Sequence, residues 1–502
     1  MHLRPDAVVT PADVERGKRA LVGDAAWASL AGSLYGGVIL VGFALALGAR
    51  PAAIGALSAI PLFAQLVQLP TIAMVERIRQ RRKIAVIAVT ASRAIILSLA
   101  ALPFIPDVQA RLSLLLAGQL AITMLGSVTG CSLNSWLHQL LPRQGLGSFF
   151  ADRLFWSTAL GAVGAAAAGY AVDHWPFAEP LQGYSVVFAA AALAGFVSSW
   201  FLARVPEPVM DRTGPPLPVL SMIATPFREP NFRRLIIFMA AWNVASNIAA
   251  PFIAVFVLQQ LRYPLTVVTT LWIVSQVASG LTLYLWGRLS DRLSNKSILA
   301  VALPAYFLCL LGLVFVTILP AREVLTLPAL FALHLLTGCA SGGIGLATAS
   351  LGLKLAPPAH ATSYLASVGL TGSAAGAVAS LLGGVLADWF SSRRMSLVFQ
   401  WVSPVHYQEI TVFQLQHWGF LFGISFVLGL YVLHALSRIN EGRTHSERVV
   451  IQQFVAEAMR SLDHLSSVEG LRVTALFPFG RLLERRRQAR TQSAPAQKPE
   501  AS

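Results

Sequence analysis

Charge is scarce in this sequence. Asp, Glu, Lys and Arg supply 12% of 502 residues, whereas hydrophobic residues supply 55%. A soluble domain carries about a quarter charged residues, so this chain lacks the polar surface to cover itself in water. Cysteine is scarce as well, and Cys131, Cys309 and Cys339 all fall within apolar runs. That placement excludes a disulfide framework and reads as buried thiols. No Walker A loop, H-E-x-x-H, G-x-S-x-G or C-x-x-C is present. An intramembrane enzyme therefore has no support, and neither a cofactor nor a metal is expected. Zinc-finger spacings and aromatic-basic platforms are missing too, so the net charge of +15 is not read as a nucleic-acid footprint. No N-terminal signal peptide is evident, because the polar stretch to Arg19 leads straight into a full-length apolar run.

What remains is a series of apolar runs, each of about 20 residues, the length that crosses a bilayer core. Twelve helices are expected, at roughly 24–47, 52–75, 84–105, 112–140, 154–172, 184–202, 235–258, 265–286, 298–319, 325–355, 363–387 and 418–436. The fold class is thus all-α, a polytopic membrane protein. Basic residues concentrate in the N-terminal segment and in "ERIRQRRK" after helix 2, while the opposite side holds few. Both termini are expected in the cytoplasm by the positive-inside rule.

A proline- and charge-rich stretch, "RVPEPVMDRTGPPLPVLSMIATPFREPNFRR", reads as a linker between two halves of six helices. Shifting the first half by 215 positions superposes Arg19 on Arg234, Trp27 on Trp242, Arg77 on Arg292, Pro142 on Pro357, Gly169 on Gly384 and Asp173 on Asp388. Helix 6 then matches helix 12 at a shift of 234, pairing Arg204 with Arg438 and Glu207 with Glu441, after an insertion in the loop before helix 12. The organisation expected is a cytoplasmic segment at 1–23, a first six-helix bundle at 24–204, a linker at 205–234, a second bundle at 235–438 and a cytoplasmic tail at 439–502. Parallel six-helix repeats of this kind build one large class of transporters.

The densest polar cluster is "WGRLSDRLSNK", Trp286 to Lys296, between helices 8 and 9. With twelve helices in two repeats, G-x-L-x-D-R-x-x-x-K at that place resembles the major facilitator superfamily. The stretch "LPRQGLGSFFADR" further resembles a subgroup of uncharacterised bacterial-type facilitators. In the superfamily such loops latch the two halves on the cytoplasmic side. The resemblance implies that Gly287 permits close helix approach, that Asp291 is the acidic latch residue, and that Arg292 and Lys296 are its basic partners. The first-half copy, "MVERIRQRR", keeps Glu76 and Arg77 in step, and pseudo-symmetry offers Asp152 and Arg153 at the start of helix 5 as partners of Asp291. Glu76 would correspondingly face the start of helix 11. The alternative reading is a positively charged loop that only sets topology.

The same resemblance implies a central cavity lined by helices 1, 4, 7 and 10 and flanked by 2, 5, 8 and 11. Polar side chains in mid-span are costly against lipid, so those on these helices are cavity candidates. They are Ser33, Tyr35, Gln65, Gln119, Thr123, Asn243, Asn247, Gln276 and His334. Each can instead make an interhelical hydrogen bond. Asp24 reads as a proton or gate group, or as a helix N-cap, and Arg93 must be paired or snorkelling. Asp173 and Asp388 read as caps or gate residues at the outer ends of helices 5 and 11. The glycine pairs Gly32/Gly36, Gly126/Gly130, Gly338/Gly342 and Gly372/Gly376 read as close-packing sites.

The function expected is secondary active transport of a small neutral or amphiphilic solute by rocking of the two halves. The partners expected are that solute, the lipid bilayer and protons as a candidate coupling ion, with a monomer as the working unit. The alternative is a non-transporting facilitator relative, acting as a membrane sensor or assembly factor. The location expected is a bacterial-type inner (plasma) membrane.

Overall fold

A computed structural model of the protein describes residues 5–6, 8–141, 146–177, 179–210, 225–319, 322–357, 361–403, 407–442 and 447–466. Twelve helices are long and apolar enough to cross a membrane. In the first half they are α1 (Pro11–Ala46), α2 (Pro51–Ile78), α3 (Arg81–Phe104), α4 (Val108–Leu140), α5 (Leu146–Asp173) and α6 (Pro180–Leu202). In the second half they are α7 (Pro230–Gln260), α8 (Leu265–Arg292), α9 (Asn295–Val316), α10 (Arg322–Leu355), α11 (Ala361–Phe390) and α12 (Trp418–Ser437). One further helix, α13 (Glu447–Ser466), follows.

The first helix begins well before the apolar run. Thr10 is its N-cap, and the Asp13 carboxylate accepts the Thr10 N–H at 3.0 Å while Thr10 Oγ1 accepts the Asp13 N–H at 3.3 Å. This reciprocal capping box starts the helix at Pro11. Asp24 consequently lies inside α1 and is not an N-cap. The helix breaks where Gly37 takes a left-handed φ of 56°, a conformation favouring glycine. The break falls within the span, where irregular backbone is tolerated only if it is packed in protein or lines a cavity.

The pseudo-symmetry is visible in the packing. In the first half α1 packs on α5 and α6, α3 on α4 and α6, and α2 on α4; in the second α7 packs on α11 and α12, α9 on α10 and α12, and α8 on α10. Buried apolar side chains fill both halves, with Phe43 and Phe188 at the centre of the first and Phe252, Phe256, Trp418 and Phe422 in the second. The two halves meet chiefly through α2 against α11 and α5 against α8. These contacts lie toward the face opposite the termini. The segment of α2 from Gln68 to Ile78 packs on α3 and α4 and leaves α11, so the halves part toward the face carrying the termini, called here the terminal face.

The loop before α12 departs from an all-helical reading. It forms an antiparallel hairpin, β1 (Arg394–Val402) with β2 (Tyr407–Gln416), the only strands among the described residues. Its base packs on α9 and α12 through the buried Leu415 and not on the seam between the halves, while Trp401 stays 60% exposed. The opposite face is called the hairpin face.

Candidate functional site

At the hairpin face the seam is built from one short pattern used twice. Helix α5 ends "GYAVD" and α11 carries "GVLAD", so Gly169 stands one turn before Asp173, and Gly384 one turn before Asp388. A Cβ on Gly169 would sit 2.5 Å from Thr269 Oγ1 and 3.1 Å from Thr266 Cα. A Cβ on Gly384 would sit 2.8 Å from the Pro51 carbonyl oxygen and 2.9 Å from Ala52 Cα. Both are shorter than real Cβ contacts, so only glycine lets the partner helix come this near. The aspartate one turn on then reaches that partner's N-terminus. Asp173 accepts the N–H groups of Leu265 at 3.1 Å and Thr266 at 2.6 Å, and the Thr266 hydroxyl at 2.5 Å. Asp388 accepts the Ala52 N–H at 3.0 Å. First-turn N–H groups have no partner within their own helix, and the helix dipole favours an anion there. Each half thus caps a helix of the other.

At the terminal face the same chemistry acts within each half. Glu207, just past α6, is fully buried and accepts the Arg81 N–H at 2.6 Å at the start of α3. The Arg81 guanidinium, 2% exposed, also donates to the Ser135 and Pro208 carbonyls and to Gln139 Oε1. Burial pushes the Glu207 carboxyl up from its usual range, opposed by the N–H groups of Arg81 and Arg82 and by the Arg81 guanidinium. In the second half Glu441, just past α12, accepts the N–H groups of Asn295 at 3.1 Å and Lys296 at 2.6 Å at the start of α9. Lys296 Nζ donates to the Ser437 and Ile439 carbonyls at 2.8 and 2.7 Å. Sequence reading paired Glu207 with Glu441 but assigned neither a role. The overlooked signal was that Arg81 and Lys296 stand in the same register of the repeat.

The polar cluster between α8 and α9 is therefore arranged differently from expectation. Lys296 is held by the end of α12 and not by an acidic latch residue. A Cβ on Gly287 would meet nothing within 4 Å, so no helix approaches closely there. The Asp291 side chain lies outside the described atoms; its backbone is in the last turns of α8, and Arg292 is exposed. Glu76 is half-buried and Arg77 exposed. Of Thr362 and Ser363, the residues at the start of α11 expected to face Glu76, the Thr362 side chain also lies outside the described atoms and Ser363 is half-buried. The physical reason is that the carbonyl groups at the end of α12 satisfy Lys296, and that the segment of α2 carrying Glu76 packs within its own half. The cluster instead seats the tail. Phe454 of α13 stacks on Trp286 at 4.4 Å, Arg288 donates to Glu457 at 2.5 Å, and Val450 is fully buried.

The nine polar cavity candidates divide. Ser33 and Gln276 line one cavity of about 310 Å³ at the seam, together with Gly36, Gly37, Thr269 and Trp272. The broken backbone of α1 thus faces this cavity. Tyr35 donates to Gln119 Oε1 inside the first half, and Thr123 Oγ1 donates to the Gln119 carbonyl at 2.8 Å. Asn243 and Asn247 are each bonded one turn back along α7, to the Met239 and Asn243 carbonyls. They press on α11 where Gly372 and Gly376 make room, a Cβ there meeting their Nδ2 atoms at 2.9 and 3.0 Å. Gln65 accepts from Gln68, and His334 Nδ1 lies 2.8 Å from the Leu330 carbonyl. Seven of the nine are thus not brought to that seam cavity. Of the glycine pairs, Gly338 and Gly342 do press on α8, whereas Gly32, Gly126 and Gly130 have nothing within 4 Å and are not packing sites in this state.

A second cavity, of about 500 Å³, lies within the first half toward the terminal face. Asp24, Arg93, Thr129, Arg153, Ser157 and Ser198 supply its polar lining. Asp24 is buried and accepts the Ser198 hydroxyl at 2.7 Å. Arg93 lies across Gly195, where a Cβ would fall 2.3 Å from its Cδ. Asp152 and Arg153, offered as latch partners at the start of α5, are half-buried, and Arg153 faces this cavity.

Comparison with known proteins completes the assignment. The chain is similar to three solved structures: the nucleoside transporter NupG (TM-score 0.60, 12% identity, 86% of this chain and 100% of that one), a bacterial homologue of the iron transporter ferroportin in an inward-facing state (0.60, 12%, 85% and 99%), and the xylose transporter XylE from E. coli in an inward open conformation (0.57, 12%, 88% and 100%). At that identity they share the fold alone. No curated protein matches the sequence at a significant level. The profile of the Major Facilitator Superfamily matches residues 25–380, well over half of the chain. The twelve spans, the two six-helix halves and that match together make this chain a member of the Major Facilitator Superfamily, a non-enzymatic transporter family.

Proposed function

We propose that the protein moves a small neutral or amphiphilic solute by alternating access, and that the conformation described is the one open to the terminal face. The carrying observation is the pair of reciprocal caps, Asp173 on α8 and Asp388 on α2. They hold the seam shut at the hairpin face while the halves diverge opposite. Two of the similar structures were captured facing inward, which supports reading the terminal face as cytoplasmic, in agreement with its basic loops. The membrane proposed is a bacterial-type inner membrane, and the working unit a monomer. The seam cavity carries hydroxyl, amide and indole groups and no charged side chain, which favours an uncharged solute; proton coupling has no acidic group there to carry it.

Spin labels at the terminal ends of α2 and α11, and a second pair at their hairpin-face ends, test the reading in proteoliposomes. The two distances should exchange in opposite senses between two populations. Counterflow assays with nucleosides and pentoses should find a solute that shifts them. One fixed distribution in every condition, with no counterflow, would favour the sensor or assembly role, for which the folded helix α13 docked on the second half offers a ready contact.

A further inference from the structure

We infer that the first-half cavity is a binding site for an amphiphilic monoanion, a carboxylate or phosphate group attached to an apolar body. The cavity is off the seam and lined by α1, α3, α4, α5 and α6 alone. Its charges do not balance. Two guanidiniums, Arg93 and Arg153, face it against one carboxylate, Asp24, leaving a net charge of +1. Asp24 is already engaged by Ser198. Neither arginine donates a hydrogen bond to any described residue, and the Nε atoms of both are buried without an acceptor. Both side chains are half-buried, and a guanidinium cannot shed its proton, so the buried Nε–H groups call for an acceptor.

The site is also built to hold these groups in place. Gly195 in α6 is the residue that lets the Arg93 side chain lie across that helix, since a Cβ would fall within 2.6 Å of Nε. Beyond the hydroxyls of Thr129 and Ser157 the rest of the lining is apolar, with Leu133, Val89 and Leu202 inside and Phe150 and Leu154 at the rim, 46% and 54% exposed. A volume near 500 Å³ accommodates a ligand of small-molecule size. An oxyanion can bridge the two guanidiniums by charge-assisted hydrogen bonds while its apolar body lies on the leucines. A free organic anion and an anionic lipid headgroup share this chemistry.

Equilibrium binding tests the site independently of transport. Thermal unfolding of the full-length protein in a neutral detergent is followed at constant ionic strength against 4-phenylbutyrate and its amide. The carboxylate should stabilise the protein saturably and the amide should not. Arg93→Gln and Arg153→Gln should each weaken binding roughly ten-fold or more. Asp24→Asn should tighten it by removing the repelling charge. Gly195→Ala keeps every charge but displaces Arg93, and should weaken binding as well, which covers an Arg93 variant that fails to fold. Nanodiscs of phosphatidylcholine and of phosphatidylglycerol then separate the sources. Loss of the phenylbutyrate response in phosphatidylglycerol identifies the lipid headgroup as occupant, and an equal response in both identifies a free anion. Equal stabilisation by acid and amide, or a response indifferent to both arginines, would overturn the proposal.

Discussion

Removing the caps at the hairpin face should release the seam there and let the protein populate the opposite conformation. Asp173 accepts three hydrogen bonds, two of them from first-turn N–H groups of α8, and Asp388 accepts one from α2. Deleting an N-cap side chain costs about 0.5–2 kcal/mol, and a carboxylate at a helix N-terminus adds about 0.3–1 kcal/mol where it is exposed. Asp173 is exposed and Asp388 half-buried, so Asp173→Ala is worth about 1–2 kcal/mol and Asp388→Ala about 1 kcal/mol. The two capped helices share no partner, so the effects should add, to roughly 2–3 kcal/mol or a 30- to 150-fold change in the equilibrium.

Two conformations separated by a few kcal/mol would be visibly repopulated by such a change. The assay uses a background with Cys131, Cys309 and Cys339 replaced, and single cysteines at Thr269 and Gly280. Thr269 is buried beneath the Asp173 cap, whereas Gly280 lies one turn from Gln276 where α8 has left α5. A membrane-impermeant thiol reagent is applied from each side. In the double variant, the cysteine at Thr269 should react from the hairpin side at least ten-fold faster, and the one at Gly280 should become slower from the terminal side. Unchanged rates at both positions in a folded double variant would refute the claim that these caps hold the seam.

Three further outcomes follow from the same geometry. Gly55→Val should mimic the loss of the caps, because a Cβ there already falls 2.5 Å from the Ser380 carbonyl oxygen; the Thr269 accessibility assay reports it. Arg81→Ala should destabilise the protein by about 3–5 kcal/mol, since it leaves Glu207 buried without its cation, while an apolar replacement of both should cost far less; thermal unfolding with a double-variant cycle measures the difference. Phe454→Ala removes an aromatic stack worth about 0.5–1.5 kcal/mol and should speed amide exchange in α13 about three- to ten-fold without altering α8 to the same degree; hydrogen exchange read by mass spectrometry checks it.

The twelve spans were legible because crossing a bilayer imposes a length and a composition that local sequence must meet. The repeat was legible because symmetric residues such as Asp173 and Asp388 keep their spacing. Contacts were harder to read. The N-cap at Thr10 was missed because the first three turns of α1 are polar and look like a tail, although Thr10 and Asp13 carry the capping-box spacing. The hairpin was missed because β1 alternates nothing against a core: it is exposed along its whole length. The cavity candidates were chosen by polarity and depth, yet a helix can satisfy Asn247, His334 or Thr123 one turn back on its own backbone. Polarity in a span therefore marks a need for a partner and not the identity of that partner. The latch residues depend on how the halves are arranged, and a sequence that serves two arrangements does not say which one a structure will hold.

Four carboxylates in this chain do the same thing, each capping the start of a helix that is not its own, and burial separates their roles. Glu207 is fully buried and the Glu441 side chain is 4% exposed; both act inside one half. Asp173 and Asp388 act between halves, and one is exposed, the other half-buried. Breaking a dry carboxylate-to-N–H bond leaves unpaired groups without water to take them, at several kcal/mol, whereas a wet one exchanges its partner for solvent at about 1 kcal/mol. The dry caps therefore tie α6 to α3 and α12 to α9, and make each half move as a unit. The wet ones can open and close at low cost. A rocking protein needs that ordering: were Glu207 and Asp173 to exchange environments, the halves would soften before they separated. Moving the polarity should show it, because Leu265→Asn beside Asp173 adds water-binding capacity and should ease opening, while the same change at Val205 beside Glu207 should lower thermal stability without favouring either face.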